Sequence, residues 1–146
     1  MFIVLGLGFG DEGKGTIIDY LTRKHEIPLV IKTGGPQQAH NVVEPNGRWH
    51  CFSQFGSGTF FPGTKTFLSK GMMVEPGNLL RESYALREKG EQGTLTRIII
   101  DSDATIITPF ERMVSQMREI SRGEKRFGSC GMGVGETASD REKRLP

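Results

Sequence analysis

The order of hydrophobic and polar positions predicts an α/β chain in which short buried strands alternate with helices. Apolar, mostly β-branched runs at residues 2–5, 28–31, 66–68 and 97–101 are typical of buried strands. Apolar positions at helical spacing occur at residues 17–21, between Pro76 and Gly90, and at residues 109–122. This alternation favours a mostly parallel sheet with flanking helices, opened by a P-loop-like strand, loop and helix.

Two segments depart from the alternation. Asn46-Gly47 lies between apolar stretches at residues 41–43 and 48–52, which predicts a β-hairpin insertion. Residues 123–146 are rich in glycine and charge, and their weak periodicity predicts no packed element. Because a loop of that length is unusual at the end of a domain, we expect more chain to follow Pro146.

Length and charge narrow the class of protein. A chain of 146 residues is long enough for one domain, and its 25% of charged residues is typical of a folded, soluble protein. The net charge of +2 argues against a protein that coats nucleic acid, so we expect no nucleic-acid partner. The two cysteines lie far apart, so a disulfide framework or zinc site has no support and a reducing compartment fits best. The sequence starts without a basic leader and contains no apolar run of membrane length. We therefore expect a cytoplasmic protein with no membrane partner.

The loop at residues 8–16, Gly-Phe-Gly-Asp-Glu-Gly-Lys-Gly-Thr, has three chemical interpretations. As a dinucleotide fingerprint it lacks the acidic residue expected about 20 residues later to hold a ribose. As a P-loop it has Gly15 where a hydroxyl would bind Mg²⁺, and Thr16 comes one position late. As a phosphate cradle it uses Asp11 as the Mg²⁺ ligand and Lys14 as a charge on phosphate, beside the amino end of a helix.

The structural alternative is a plain glycine turn in which Asp11 and Glu12 are favourable charges near a helix start. Two acids and a lysine compressed among glycines in the first strand-to-helix turn favour the phosphate cradle instead.

Two segments of the chain resemble the adenylosuccinate synthetases. The Gly-Asp-Glu-Gly-Lys-Gly sequence at residues 10–15 matches the loop of that family at every position. Residues 34–41, Gly-Gly-Pro-Gln-Gln-Ala-His-Asn, keep the spacing of the family's Gly-Gly-His-Asn-Ala-Gly-His-Thr, including both glycines and His40. Residues 71–74 and 128–135 are similar to further family segments. The resemblance implies that residues 1–146 form a single nucleotide-binding α/β domain, the N-terminal part of a larger synthetase.

The resemblance also implies a reaction and its catalytic residues. The family is a ligase that joins L-aspartate to the 6-position of IMP and spends GTP through a 6-phosphoryl intermediate. Asp11 would take the purine N1 proton and bind Mg²⁺, and Lys14 would neutralise phosphate charge. His40 would stabilise the transferring oxygen, and the backbone carbonyl of Ala39 would be a second metal ligand.

Further residues are implied to contact the nucleotides and their phosphates. They are Gly10, Glu12, Gly13, Gly15, Thr16, Gln37, Gln38, Asn41, Ser129, Cys130 and Arg144. In the family, an asparagine and two neighbouring threonines contact the 5′-phosphate of the nucleotide. Gln37 aligns with that asparagine, and Ser129 and Cys130 align with the two threonines. Arg144 has the spacing of an arginine that reaches a neighbouring subunit's nucleotide, which implies a homodimer. A turn-closing His40, a buried thiol at Cys130 and a solvated basic tail at Arg144 are the alternatives.

Departures from the family pattern leave other functions open. Pro36-Gln37-Gln38 replaces His-Asn-Ala, and Met132 replaces an arginine. These changes resemble the viral aminoadenylosuccinate synthetases, which use dGMP and ATP, so the purine nucleoside monophosphate and the triphosphate are each undecided. A truncated, non-catalytic nucleotide-binding module is a further alternative. We expect the residues that bind aspartate and the base of the triphosphate to lie beyond Pro146.

Overall fold

A computed structural model describes residues 1–144, with the side chains of residues 1–143. The helices are Lys14–His25 (α1), Pro76–Glu88 (α2), Pro109–Ser121 (α3) and Val134–Arg144 (α4). The strands are Leu29–Gly34 (β1), His40–Val43 (β2), Trp49–Phe52 (β3), Lys65–Val74 (β4), Ile98–Ile100 (β5) and Thr105–Ile106 (β6). Within this described part, no helix is both long and apolar enough to cross a membrane.

Strand β4 is the centre of a parallel sheet. Strand β5 pairs with its first half, β1 pairs with residues 65–68 and with Met72, and β6 pairs with its end. The register between β1 and β4 shifts between Lys32 and Gly34, where β1 turns into the loop that precedes β2. The predicted class, a mostly parallel sheet flanked by helices, is confirmed.

The predicted hairpin is also confirmed. Strands β2 and β3 are antiparallel, and His40 lies opposite Phe52 in their register. Gly47 has a φ of 83°, a conformation that glycine adopts without steric cost. The Arg48 amide donates to Asn46 Oδ1 at 2.9 Å, which closes the turn. The hairpin therefore holds His40 at the start of a strand of fixed register.

A cluster of aromatic and aliphatic side chains joins the hairpin to the parallel sheet and to α2. Phe52 and Phe60 meet edge to face, with ring centroids 5.2 Å apart. The other buried members of this core are Val42, Phe55, Leu68, Met72, Val74, Leu79 and Leu86. Because strand β2 contributes to the same core as strand β4, the hairpin packs as part of the domain.

Buried charges hold residues 53–55 between α2 and β1. The Glu82 carboxylate accepts the backbone N–H groups of Ser53, Gln54 and Phe55 at 2.8, 2.7 and 3.3 Å. From the other side, Lys32 Nζ donates to the carbonyl oxygens of Ser53 and Phe55. These bonds satisfy polar groups that would otherwise be buried without partners.

The first predicted strand is not formed. Residues 1–7 carry no strand, and Ile3 and Leu5 are each 73% exposed. An apolar run becomes a strand only when a neighbouring strand takes up its backbone hydrogen bonds, and residues 2–5 have no such neighbour in the structure. Ile31 on the edge strand β1 is also 61% exposed. The prediction at residues 2–5 was therefore wrong, whereas the loop and helix that follow it are present.

The prediction of no packed element after residue 123 was also wrong. Helix α4 lies in this segment and packs against α3. Thr137 Oγ1 donates to the Gly133 carbonyl at 2.9 Å, and Glu136 pairs with Arg118 of α3 at 3.2 Å. These contacts depend on a neighbouring helix, which explains why weak periodicity concealed the element.

Lys32 should make stability depend on pH. Burial lowers its pKa from 10.5 to about 8, and the charge of Glu82 opposes part of that change. The folded chain thus loses this proton at a lower pH than the unfolded chain, so the free energy of unfolding rises with pH across this window. We expect the wild type to gain about 1 kcal/mol per pH unit relative to Lys32→Met. Urea unfolding at about pH 8 and about pH 9.5 measures the difference.

Lys65→Met is the matched control, because Lys65 is an exposed lysine on strand β4. It should keep the wild-type pH dependence. An unchanged pH dependence in Lys32→Met would contradict the assignment of a low pKa to Lys32.

Candidate functional site

Two glycine-rich segments line one open cavity of about 600 Å³. The first leads into α1 and the second joins β1 to β2. The lining residues are Gly10, Asp11, Glu12, Gly13, Lys14, Gly15, Thr16, Gln37, Gln38, Ala39, His40 and Asn41. The structure thus brings the predicted catalytic residues Asp11, Lys14 and His40 around one space. We call this space the first cavity.

The backbone of the first loop projects Asp11 into solvent. Gly10 and Gly13 have φ values of 104° and 72°, and Asp11 itself has a φ of 50°. A left-handed conformation at a residue other than glycine is uncommon, although aspartate tolerates it better than most residues. Asp11 is exposed, and its carboxylate has no hydrogen bond or ion pair with any described residue. The carboxylate is therefore available to a ligand.

Gly15 fixes the distance between the two segments. A Cβ atom at this position would lie 2.7 Å from His40 Cβ and 3.2 Å from the His40 backbone. Thr16 Oγ1 adds a hydrogen bond to the Asn41 carbonyl at 3.3 Å. Any larger residue at position 15 would separate α1 from β2. This contact explains why glycine occupies the position where a P-loop carries serine or threonine.

Glu12 occupies the anion-binding donors of the loop. Its carboxylate accepts the Gly8 amide at 2.6 Å and Lys14 Nζ at 2.9 Å. The hydrogen bond from Lys14, and next that from Gly8, lowers the pKa of Glu12. The loop can thus hold a negative group, and a phosphate on the same donors would displace Glu12.

His40 is half-buried beside two cations. Burial, and then the positive charges of Lys32 and Lys14, lower the pKa of His40 below its ordinary value. Its imidazole is consequently neutral at neutral pH, with one ring nitrogen as donor and the other as acceptor.

Hydrogen bonds also set the shape of the second segment. Gln38 Nε2 donates to the Thr33 carbonyl at 2.7 Å, and Ser53 Oγ donates to the Pro36 carbonyl. Gly34 has a φ of 98°, which turns the chain at the end of β1. Gln37 is exposed on this segment, and its amide forms no hydrogen bond with the described residues. Its amide can therefore contact a ligand.

A second cavity of about 460 Å³ shares Gln37 with the first. It is lined by Pro36, Gln37, His50, Cys51, Ser53, Asn78, Arg81, Glu82, Ala85, Cys130 and Met132. Ser129 is not among the lining residues, and its backbone amide donates to Glu119 Oε1 at 3.3 Å. Cys130 is exposed, so the alternative of a buried thiol was wrong. The side chain of Arg144 lies outside the described residues.

Sequence reasoning missed several residues that support the site. Ser53 donates to the second segment at Pro36, and Lys32 and Glu82 hold the backbone of Ser53 in place. Arg81 and Asn78 line the second cavity. In the sequence, the only indication of these residues was Lys32, a lysine that directly follows the apolar run of β1. The others become neighbours only through the packing of α2 against the hairpin.

The residues of the first cavity fit a magnesium ion. Mg²⁺ is commonly bound through one or two carboxylates together with substrate phosphates and water. Asp11 supplies an unpartnered carboxylate and Ala39 lines the same cavity. Among the described residues, no three histidine, cysteine, aspartate or glutamate side chains gather into a metal site. Hence a metal here would depend on bound phosphates for further ligands.

Comparison with known proteins establishes the family. The family model described as adenylosuccinate synthetase matches residues 3–145. The chain therefore belongs to the adenylosuccinate synthetase family, whose members are ligases that form C–N bonds.

Similar proteins are found among curated sequences and solved structures. The adenylosuccinate synthetase of Syntrophobacter fumaroxidans is 32% identical over 97% of this chain and 33% of its own length. That of Synechocystis is 34% identical over 98% of this chain and 31% of its own length. The chain thus spans about one third of these relatives.

Two solved structures share the fold. Fully ligated adenylosuccinate synthetase from Plasmodium falciparum aligns with a TM-score of 0.80 at 24% identity, over 96% of this chain and 32% of that one. Succinoaminodeoxyadenylate synthetase of cyanophage S-2L, bound to dGMP and dATP, aligns with a TM-score of 0.70 at 22% identity, over 94% of this chain and 37% of that one. At these identities the likeness establishes the fold.

Gly15→Ala should separate the two segments. The added methyl group meets the backbone of His40, so we expect a loss of about 1 to 3 kcal/mol in the free energy of unfolding. Urea unfolding measures the loss, and the backbone amide signal of His40 should shift in a ¹⁵N–¹H spectrum.

Gly135→Ala is the control, because Gly135 also lies in a helix but has open space around it. It should be neutral or slightly stabilising. If Gly15→Ala is as stable as Gly135→Ala and leaves the His40 signal in place, the close packing is refuted.

Proposed function

We propose that this chain is the N-terminal nucleotide-binding domain of a synthetase that joins L-aspartate to the 6-position of a purine nucleoside monophosphate. The observation that carries the proposal is the meeting of Asp11, Lys14 and His40 around the first cavity. IMP and GTP are the substrates that family membership favours. The proposed enzyme is a cytoplasmic homodimer.

In the first half-reaction, Asp11 takes the proton from purine N1, which increases the negative charge on the 6-oxygen. That oxygen attacks the γ-phosphorus of the triphosphate, and the nucleoside diphosphate leaves. A ring N–H of neutral His40 donates to the 6-oxygen as its charge develops. Lys14 leaves Glu12 and neutralises the charge of the transferred phosphate.

In the second half-reaction, the amine of L-aspartate attacks purine C6 and the phosphate leaves with the former 6-oxygen. The nitrogen then loses a proton, which leaves a succinylated purine. Exclusion of water from the first cavity would protect the phosphorylated purine from hydrolysis. No described residue is assigned to aspartate.

Magnesium would be held by Asp11 and the backbone carbonyl of Ala39. When bound, it supplies positive charge to the phosphate oxygens. Asp11 suits that task because its carboxylate is exposed and without a partner among the described residues. Lys14 lines the same cavity, so the metal and the lysine would both contact the phosphate.

The monophosphate group is proposed to lie toward Gln37, Ser129 and Cys130. Gln37 lines both cavities, and Cys130 lines the second. A nucleotide could then place its base near Asp11 and His40 and its phosphate in the second cavity. The triphosphate and the purine base would be held by the remaining loop residues, which are those from Gly10 to Thr16 together with Gln38 and Asn41.

A second candidate uses dGMP and ATP in place of IMP and GTP. The Pro36-Gln37-Gln38 sequence and Met132 are the observations that favour it, since they alter the segments proposed to contact the nucleotide. A non-catalytic module that binds nucleotide phosphate at the first cavity is the third candidate.

The direct test is a turnover assay with the longest gene product that contains this chain. It is incubated with L-aspartate, Mg²⁺ and either IMP plus GTP or dGMP plus ATP. Formation of both a nucleoside diphosphate and a succinylated purine supports the synthetase, and the productive pair identifies the substrates. Triphosphate binding without either product supports the module.

Asp11→Asn should abolish turnover without unfolding the protein. The amide cannot accept the N1 proton, so we expect kcat to fall by about a hundred- to ten-thousandfold. Circular dichroism should be unchanged, since Asp11 is exposed. Asp103→Asn, at an exposed turn, should retain wild-type kcat. Wild-type turnover by Asp11→Asn would rule out this residue as the base.

A further inference from the structure

The second cavity gathers hydrogen-bond donors around one side. Gln37 and Asn78 contribute amides, and Arg81 contributes a guanidinium group. Among the described residues that line the space, Arg81 is the one arginine, and none is a lysine. The one lining carboxylate, Glu82, is already engaged by three backbone amides of residues 53–55. Asn78 Nδ2 donates to Met132 Sδ at 3.4 Å, so the cation of Arg81 is the main charged group that this lining can offer to an anion.

His50 adds a buried donor that lacks a partner. It is 6% exposed and lines the cavity. Its Nδ1 lies 3.1 Å from Lys89 Nζ, so Nδ1 accepts and the ring proton is on Nε2. Nε2 has no hydrogen bond, because the nearest carboxylate oxygen, Glu82 Oε1, is 3.6 Å away. An oxygen-rich ligand in the cavity could satisfy this group.

Arg81 is free to turn toward such a ligand. Its side chain is 63% exposed, and its contact with Glu75 Oε2 is long, at 3.7 Å. Glu75 keeps other partners without Arg81. The backbone N–H of Asn78 donates to Glu75 Oε2 at 2.5 Å, and the Arg112 guanidinium lies 3.4 Å from Glu75 Oε1. Movement of Arg81 would thus leave no buried carboxylate unpaired. Its remaining partner, Asn78 Oδ1, is in the same cavity.

We propose that Arg81 binds the 5′-phosphate of the nucleoside monophosphate in the second cavity, an inference that rests on the proposed function. A guanidinium group donates two parallel hydrogen bonds to phosphate oxygens. Cys130, on the opposite segment, offers only a weak thiol donor. Arg81, in the second turn of α2, supplies the charge that this thiol lacks.

Arg81→Gln tests the assignment, because it removes the charge at an exposed position and spares the fold. Isothermal titration of the longest gene product that contains this chain with IMP and dGMP, each compared with its nucleoside, isolates the contribution of the phosphate. We expect the variant to bind the tighter nucleotide about ten- to a hundredfold more weakly and to bind its nucleoside as the wild type does.

Arg87→Gln is the matched control on the same helix. Arg87 is exposed, contacts Tyr84 and does not line the cavity, so its variant should bind nucleotide normally. Equal nucleotide affinity in Arg81→Gln and Arg87→Gln would overturn the assignment and leave the proposed function standing.

Two further outcomes separate the possibilities. If Arg81→Gln weakens binding of the nucleoside, or of L-aspartate alone, as much as that of the nucleotide, the phosphate is not its ligand and the inference fails. If the wild-type form of the longest gene product binds neither IMP nor dGMP, the inference and the proposed function both fail.

Discussion

The candidate site depends on the close approach of Gly15 to the backbone of His40. Because position 15 has no side chain, the first turn of α1 can lie against the start of β2, and two loops that are distant in sequence line one cavity. The buried core then holds β2 in place through the hairpin. Ser53 donates to Pro36 in the segment between β1 and β2, and Lys32 holds Ser53 through its carbonyl oxygen. The geometry of the candidate site is thus a consequence of backbone packing.

The charges around this contact favour anions. Lys14 and Lys32 both lower the pKa of His40, after burial, so the histidine is neutral while the surroundings stay cationic. Glu12 occupies the donors of the first loop and acts there as an internal anion. The neighbouring cavity continues this pattern with Arg81 and the unpaired Nε2 of His50. A phosphate in the first cavity would meet Lys14, and a phosphate in the second cavity would meet Arg81.

Sequence patterns predicted features that depend on local chemistry. The glycine loop, the Asn46-Gly47 hairpin and the helix beginning at Pro76 each follow from short-range rules, and each is present. Residues 2–5 were wrongly predicted as a strand because strand formation requires a neighbour, and α4 was missed because its contacts with α3 are tertiary. Arg81 could not be connected to Gln37 from the sequence, since the two meet only where α2 packs beside the hairpin.

The most direct test of a single site built from both loops is paramagnetic broadening by Mn²⁺, used in place of Mg²⁺. Spectra of ¹⁵N–¹H amides would be recorded with purine monophosphate and triphosphate bound, before and after addition of the ion. We expect selective loss of the signals of Asp11, Gly15 and His40, with those of α4 retained. Broadening that is confined to residues 8–16, while the His40 signal remains sharp, would contradict a site shared by the two loops.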